Sequence, residues 1–200
     1  MIETVIFDLS EVCIQGLYGV EEVIAKATNS HDRQVMKHLN GEKLIQLFEG
    51  KISEDDYWSK VIQEGSYDLS IPYFKRVVRN NFVKMPGNAI DVVKALKENG
   101  NKVYLLSDHS IEWVDYIHKV HSFMDLFDEK YYSFDLAFTK QNPKAFELTM
   151  QSLDANPETT LFVDDSQDNL ISAKKAGIIH THLYQFPGKL ERDLTNYGLL

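Results

Sequence analysis

Cysteine is nearly absent: Cys13 stands alone among 200 residues. An intrachain disulfide is therefore excluded, and the composition fits a reducing compartment. Basic residues are scarce too, 21 Lys and Arg against 30 Asp and Glu, for a formal charge of −9. Phosphate backbones and anionic membrane surfaces reward clustered Lys and Arg. The chain has no such cluster, so neither nucleic acid nor a membrane is expected as its partner. It also lacks an apolar run of the ~18 residues a membrane helix needs. The N-terminus shows no basic segment followed by an apolar stretch and a small-residue cleavage site. A soluble, cytoplasmic protein is expected.

What the chain does have is apolar residues, 44% of the total, enough to bury a substantial core. Short apolar runs alternate with amphipathic patterns. Val5-Ile6-Phe7, Val103-Tyr104-Leu105-Leu106 and Leu161-Phe162-Val163 read as parallel strands covered on both faces. Between them, "GNAIDVVKALKENG" reads as a helix with Ile90, Val93, Ala95 and Leu96 near one stripe, ending at Gly100. "NPKAFELTMQSL" reads as a helix capped by Asn142 with Pro143 in its first turn, and "NLISAKKAG" as one ending at Gly177. This order predicts an α/β fold: a Rossmann-like parallel sheet with helices on both faces.

Residues 14–86 interrupt the alternation. "SEDDYWSKVIQEG" offers Ser53 as a cap, an acidic first turn, and Tyr57, Trp58, Val61 and Ile62 on one face. "IPYFKRVVRNNF" is a second helical run. The expected organisation is a core of residues 1–13 and 87–200 with an inserted all-helical unit, 14–86, beside the tip of the first strand. There an insertion is placed to cover a site. Its aromatic residues, Phe48, Tyr57, Trp58, Tyr67, Tyr73, Phe74 and Phe82, are expected mostly to form its own core, with one or two reaching the cleft.

Ligands of open α/β sheets bind outside the carboxyl ends of the strands. The first strand ends in Asp8, the second in Ser107-Asp108-His109, the third in Asp164-Asp165, and Lys140 precedes a helix start. Converged, these ends supply carboxylates, a hydroxyl and an ammonium, a set suited to phosphoryl transfer. One carboxylate attacks phosphorus; a magnesium ion on carboxylate oxygens offsets the repulsion between two anions; lysine and hydroxyl stabilise the phosphoryl oxygens. Each acid read alone is equally a turn or cap residue, and Lys140 alone a surface lysine.

"FDLSEV", "LLSD", "KQNPKAFE" and "FVDDSQDNLISAKKAGI" resemble, in order, the four motifs of the haloacid dehalogenase superfamily of aspartate-nucleophile hydrolases. The insertion falls where that family carries its helical cap. The resemblance is nearest to the branch with sugar-1-phosphate phosphatases and the phosphatase domain of soluble epoxide hydrolases. It implies Asp8 as nucleophile, Ser107 and Lys140 on the phosphoryl group, and Mg²⁺ on Asp8, Asp165 and the Ser10 carbonyl. Asp164 and Asn169 would orient metal-bound water or Lys140. The implied activity is hydrolysis of a small phosphorylated metabolite, such as a sugar phosphate, through an aspartyl-phosphate.

Three positions depart from the family pattern. Ser10 replaces the second aspartate of the first motif, which removes a general acid/base contribution of ~10²–10⁴-fold; Glu11 is adjacent, but its side chain points elsewhere if the backbone stays strand-like. Asp108 replaces an asparagine that helps bind substrate, and Gln141 replaces a proline. His109 reads either as a replacement acid or substrate contact or as a solvated residue at a helix start capped by Ser110. Two other readings follow. A 2-haloacid dehalogenase would use the aspartate without metal and has little use for Asp164-Asp165. A binding protein that has lost turnover would fit Ser10 and Asp108. His118/His121 and His180/His182 have spacings that zinc sites use, but no Cys partners.

Overall fold

The structure, a computed structural model, describes residues 2–185 and 188–200. Strand β1 (Thr4–Phe7) is followed by five helices: α1 (Val20–Thr28), α2 (Asp32–Leu39), α3 (Glu42–Phe48), α4 (Glu54–Gly65) and α5 (Ile71–Asn81). Alternation then resumes with α6 (Ala89–Glu98), β2 (Lys102–Ser107), α7 (Ile111–Val120), β3 (Lys130–Tyr132), α8 (Ser133–Leu136) and α9 (Pro143–Leu153). It ends with β4 (Thr160–Asp164), α10 (Gln167–Lys175), β5 (His180–Leu183) and α11 (Lys189–Asn196). All pairings are parallel and the spatial order is β3-β2-β1-β4-β5. The chain thus moves outward from β1 on one side and returns to its other side at β4. The switch point, where such sheets bind ligands, lies at the tips of β1 and its two neighbours.

Two apolar layers cover the sheet, as central parallel strands require. Ile6, Leu106 and Phe162 pack with Phe146 and Met150 of α9 and Leu170 and Ala173 of α10. Val5, Phe7, Val103, Leu105, Leu161 and Val163 share a cluster with α6, α11 and the buried aromatic residues of the inserted helices. On α6 the buried stripe is Ala89, Val92, Val93 and Leu96, so the expected Ile90 and Ala95 are only partly covered. The expected caps are present: Ser53 forms a reciprocal capping box with Asp56, Asn142 accepts from the Lys144 N–H, and Ser110 accepts from the Trp113 N–H.

The inserted helices leave and rejoin the sheet side by side. Gln15 N–H donates to the Val83 carbonyl at 2.8 Å, and Met85 N–H to the Cys13 carbonyl at 3.0 Å. That short antiparallel contact fixes the insertion over the tip of β1. Cys13 is buried there, its thiol 3.6 Å from the Asp8 carbonyl oxygen, and burial pushes its pKa up; it is a packed small side chain. The histidine pairs are separately engaged: His118 with the Tyr132 hydroxyl, His121 with the Phe82 carbonyl, His182 with Asp193, and His180 against the Tyr197 ring. No helix among the described residues is long and apolar enough to cross a membrane.

Candidate active site

Asp8 follows Phe7, which pairs with Val163, so Asp8 and Asp164 stand level on adjacent strand tips. The Asp8 N–H donates to the Val163 carbonyl at 2.9 Å, and its own Oδ1 accepts the Leu9 N–H at 2.6 Å. Lys140 enters from the far side. Its Nζ lies 2.6 Å from Asp8 Oδ1 and 2.7 Å from Asp164 Oδ2 with the side chain almost wholly buried. Its loop is held at two further points. The Lys140 N–H is shared between both Asp108 oxygens, at 3.0 and 3.1 Å, and Ser172 Oγ donates to the Gln141 carbonyl at 2.9 Å.

Asp164 is fully occupied by its surroundings. Asn169 Nδ2 reaches both of its oxygens, at 3.1 and 3.2 Å, and the Ser166 N–H donates to Oδ1 at 2.7 Å. Asp165 sits beside it, half-buried. Ser107 Oγ is buried and has no hydrogen-bond partner among the described residues. Such an orphan is unfavourable in a closed core and suits a site awaiting a ligand.

The electrostatics are lopsided. Four carboxylates, Asp8, Asp108, Asp164 and Asp165, surround one ammonium. Burial raises the Asp8 carboxyl well above its usual range; Asp164 and Asp165 add to the rise while Lys140 opposes it. Burial likewise pushes Asp108 up to about 6, and burial with the Asp164 charge pushes Asp165 up to about 6. Lys140 is raised despite its burial, because Asp164, Asp8 and Asp108 favour the charged form. A cation is what such a set lacks. One oxygen from each of Asp8, Asp164 and Asp165 lies within 4.8 Å of the others. Asp164 already serves Lys140, Asn169 and Ser166, so Asp8 and Asp165 are the members with oxygens to spare. Hard oxygen donors of this kind suit Mg²⁺.

A cleft of about 250 Å³ opens onto Asp8, Asp108, Lys140 and Asn169, while Ser107, Asp164 and Asp165 lie behind these and do not themselves line it. Asp8, Ser10, Glu11, Asp108, Lys140 and Asn169 form its floor, and Leu17, Tyr18, Met36, Asn40 and Phe48 of the inserted segment and its entry loop form its wall. Phe48 is thus the one insertion aromatic among those singled out that reaches the cleft; Phe82 stops at His109 and Trp113. A wider depression of about 700 Å³ on α5 holds none of the strand-end groups. Of its charged residues, Lys75 pairs with Asp55, Arg79 pairs with Glu54, and Arg76 lies over the Tyr73 ring at 5.3 Å.

Two neighbours of the strand tips depart from expectation. Glu11 is not strand-like: its φ is +58°, and its Oε1 turns back to accept the Gly16 N–H at 2.7 Å while the residue lines the cleft. His109 is not solvated. It is 1% exposed, burial lowers its pKa to about 3, and Nε2 lies 2.9 Å from Ser10 Oγ. It does not itself line the cleft. This Ser10–His109 contact spans 99 residues and had no signal in local spacing.

Residues 2–177 match the family model for haloacid dehalogenase-like hydrolases. The chain belongs to that family. A D-ribitol-5-phosphate phosphatase of Bacteroides thetaiotaomicron is 25% identical over 185 residues, 88% of this chain and 89% of that protein. Among solved folds, a haloacid dehalogenase family enzyme from B. thetaiotaomicron in complex with magnesium and inorganic phosphate superposes with a TM-score of 0.77 at 21% identity, covering 92% of this chain and 95% of that one. An L-2-haloacid dehalogenase from Xanthobacter autotrophicus superposes at 0.69 and 17% identity, over 100% and 85%. The haloacid dehalogenase fold is therefore common ground for phosphatases and dehalogenases, and the choice between them rests on the side chains at the strand tips.

Proposed function

We propose that this hydrolase is a Mg²⁺-dependent phosphatase acting on a small phosphorylated metabolite. The observation that carries this reading is the charge imbalance at the strand tips: four buried or half-buried acids around Lys140, with Asp165 left without a salt-bridge partner of its own among the described residues. A dehalogenase attacking carbon would have no use for Asp165. The similarity to a ribitol-phosphate phosphatase supports phosphate monoesters, and sugar or polyol phosphates, as the first class to test.

In this reading Asp8 attacks phosphorus with the oxygen not engaged by Lys140. The P–O ester bond breaks, its electron pair leaves with the alcohol oxygen, and water then hydrolyses the aspartyl-phosphate to release phosphate and regenerate Asp8. Ser107 Oγ and Lys140 Nζ donate to the phosphoryl oxygens, where charge grows. Asp8, Asp165 and the Ser10 carbonyl would hold Mg²⁺, which supplies charge neutralisation between the two anions when bound. Asp164 and Asn169 keep Lys140 in place, and Asp108 pins its backbone. The five inserted helices act as the cap, residues 14–86, over a core of residues 1–13 and 87–200. Its wall of Leu17, Tyr18, Met36 and Phe48 limits the substrate in size and offers carbon faces, while Glu11 and Asn40 can accept hydrogen bonds from hydroxyls.

The test is phosphate release from a panel of sugar, polyol, alkyl and aryl phosphates, with Mg²⁺ and with EDTA, for the wild type and Asp8→Asn. Metal-dependent release lost in the variant is expected. Chloride release from a 2-halo-acid without metal, or turnover by Asp8→Asn, would overturn the proposal.

A further inference from the structure

The first motif carries serine where a proton donor is wanted, and a buried histidine stands behind that serine. Ser10 lines the cleft beside Asp8; His109, at the tip of β2, lies out of the cleft with Nε2 2.9 Å from Ser10 Oγ. The ring is boxed by Phe48, Phe82 and Trp113, with centroids 6.2, 5.8 and 6.1 Å away. Nδ1 is buried against them with no partner among the described residues.

That orphaned nitrogen decides the direction of the hydrogen bond. If the Ser10 hydroxyl donated to Nε2, the ring proton would sit on Nδ1, a buried N–H with nothing to accept it. Buried N–H groups left in that way are rare and unfavourable, more so than a buried acceptor left bare. With the proton on Nε2 the ring donates to Ser10 Oγ, and Nδ1 is a bare acceptor among the three rings. The Ser10 oxygen, already accepting from the ring, then has its own proton free for the cleft.

We propose that His109 is a positioning residue that holds Ser10 as a hydrogen-bond donor to the leaving-group oxygen, in place of a general acid. This rests on the phosphatase reading above. As the P–O ester bond breaks, the electron pair passes to the alcohol oxygen and the Ser10 O–H stabilises it. Ser10 keeps its proton, and the alcohol takes its proton from water. Poor leaving groups, which develop most charge on oxygen, depend on this contact. Good ones do not.

Two measurements test it. Long-range nitrogen–proton NMR correlations on the metal-free protein should show His109 protonated on Nε2; an Nδ1-protonated ring would overturn the assignment without reference to turnover. The second uses phenyl phosphate and p-nitrophenyl phosphate with Mg²⁺, for the wild type, Ser10→Ala, His109→Leu, His109→Gln and the double variant Ser10→Ala/His109→Leu. A single neutral hydrogen bond is worth ~1 kcal/mol, so kcat on phenyl phosphate should fall roughly 5- to 10-fold in Ser10→Ala and in His109→Leu, with KM little changed. Loss on p-nitrophenyl phosphate should be smaller. The double variant should be no worse than Ser10→Ala, and His109→Gln, whose amide reaches the Nε2 position, should recover most of the rate. Equal losses on both substrates, additive losses in the double variant, or a His109→Gln enzyme as slow as His109→Leu would overturn the proposal. A wild type that releases no phosphate from any monoester strikes the phosphatase reading instead, and the NMR result still stands or falls on its own.

Discussion

Lys140 Nζ lies 2.6 Å from Asp8 Oδ1, and both side chains are withdrawn from water. The ammonium spans two strand tips, since it also meets Asp164 at 2.7 Å. Such a lysine is at once a structural counter-charge and a donor for an incoming anion. Removing it leaves two buried carboxylates facing each other.

Lys140→Met is therefore expected to lose turnover and to destabilise the metal-free protein by about 3–5 kcal/mol, the usual consequence of stranding one side of a buried ion pair. Added Mg²⁺ should recover part of that loss by supplying charge at the same carboxylates. Urea unfolding with and without Mg²⁺ checks this. A variant as stable as the wild type in EDTA would show that the pair adds nothing to folding.

Magnesium should stabilise the wild type in turn. At a concentration about a hundredfold above Kd, binding to the folded state alone contributes about 2.7 kcal/mol, or a rise of roughly 5–10 °C in Tm for a chain of this length. Asp165→Asn should abolish most of that rise. Retention of the full shift in Asp165→Asn would move the metal away from Asp165.

Gly16 is where a loop crosses Ser10 with no room for a side chain. A Cβ there would stand 2.9 Å from both Cβ and Oγ of Ser10 and 3.0 Å from Glu11 Oε1. Gly16→Ala should push Ser10 away from His109 and cost about 1–3 kcal/mol of stability from overpacking. Turnover of phenyl phosphate should drop with it. Full activity at unchanged Tm would show that the loop gives way freely.

How much of this was legible beforehand depends on burial. β1, β2 and β4 are central, covered on both faces, and so read as apolar runs. β3, Lys130-Tyr131-Tyr132, and β5, His180-Thr181-His182-Leu183, are the sheet's edges; only their inner sides need apolar residues, and their composition hides them. The strand-tip residues were legible because each follows an apolar run with a charged or hydroxyl side chain. The backbone at Glu11 is not strand-like, and nothing in "LSEVC" announces its positive φ. The burial of His109 was invisible for another reason: the aromatic box comes from α3, the end of α5 and α7, brought together only by the insertion folding back onto the core.

Glu54 shows how that insertion is held, and it gives a prediction with a definite pH sign. Its carboxylate is fully buried at the start of α4. It accepts from Arg79 with both oxygens, at 2.7 and 2.8 Å, and from the indole N–H groups of Trp58 and Trp113, at 3.2 and 2.8 Å. Trp113 belongs to α7, so one acid ties α4 and α5 to the helix that follows β2. Burial alone would raise its pKa; the Arg79, Trp113 and Trp58 hydrogen bonds outweigh that and hold it below the usual carboxylate range. A depressed folded-state pKa means that the stabilisation is fully present above the unfolded value, ~4.3, and is lost as pH falls through the lower folded value. Glu54→Gln cannot titrate and turns an amide N–H₂ toward donors. It should destabilise the protein at pH 7 toward the low end of about 3–5 kcal/mol, since Arg79 keeps 22% of its side chain exposed and can be rehydrated. The gap between wild type and variant should stay constant from pH 7 to about 5 and close only below ~4.3. Urea midpoints across that range measure it, and a gap already closing between pH 7 and 5 would mean that Glu54 is not held below its usual range.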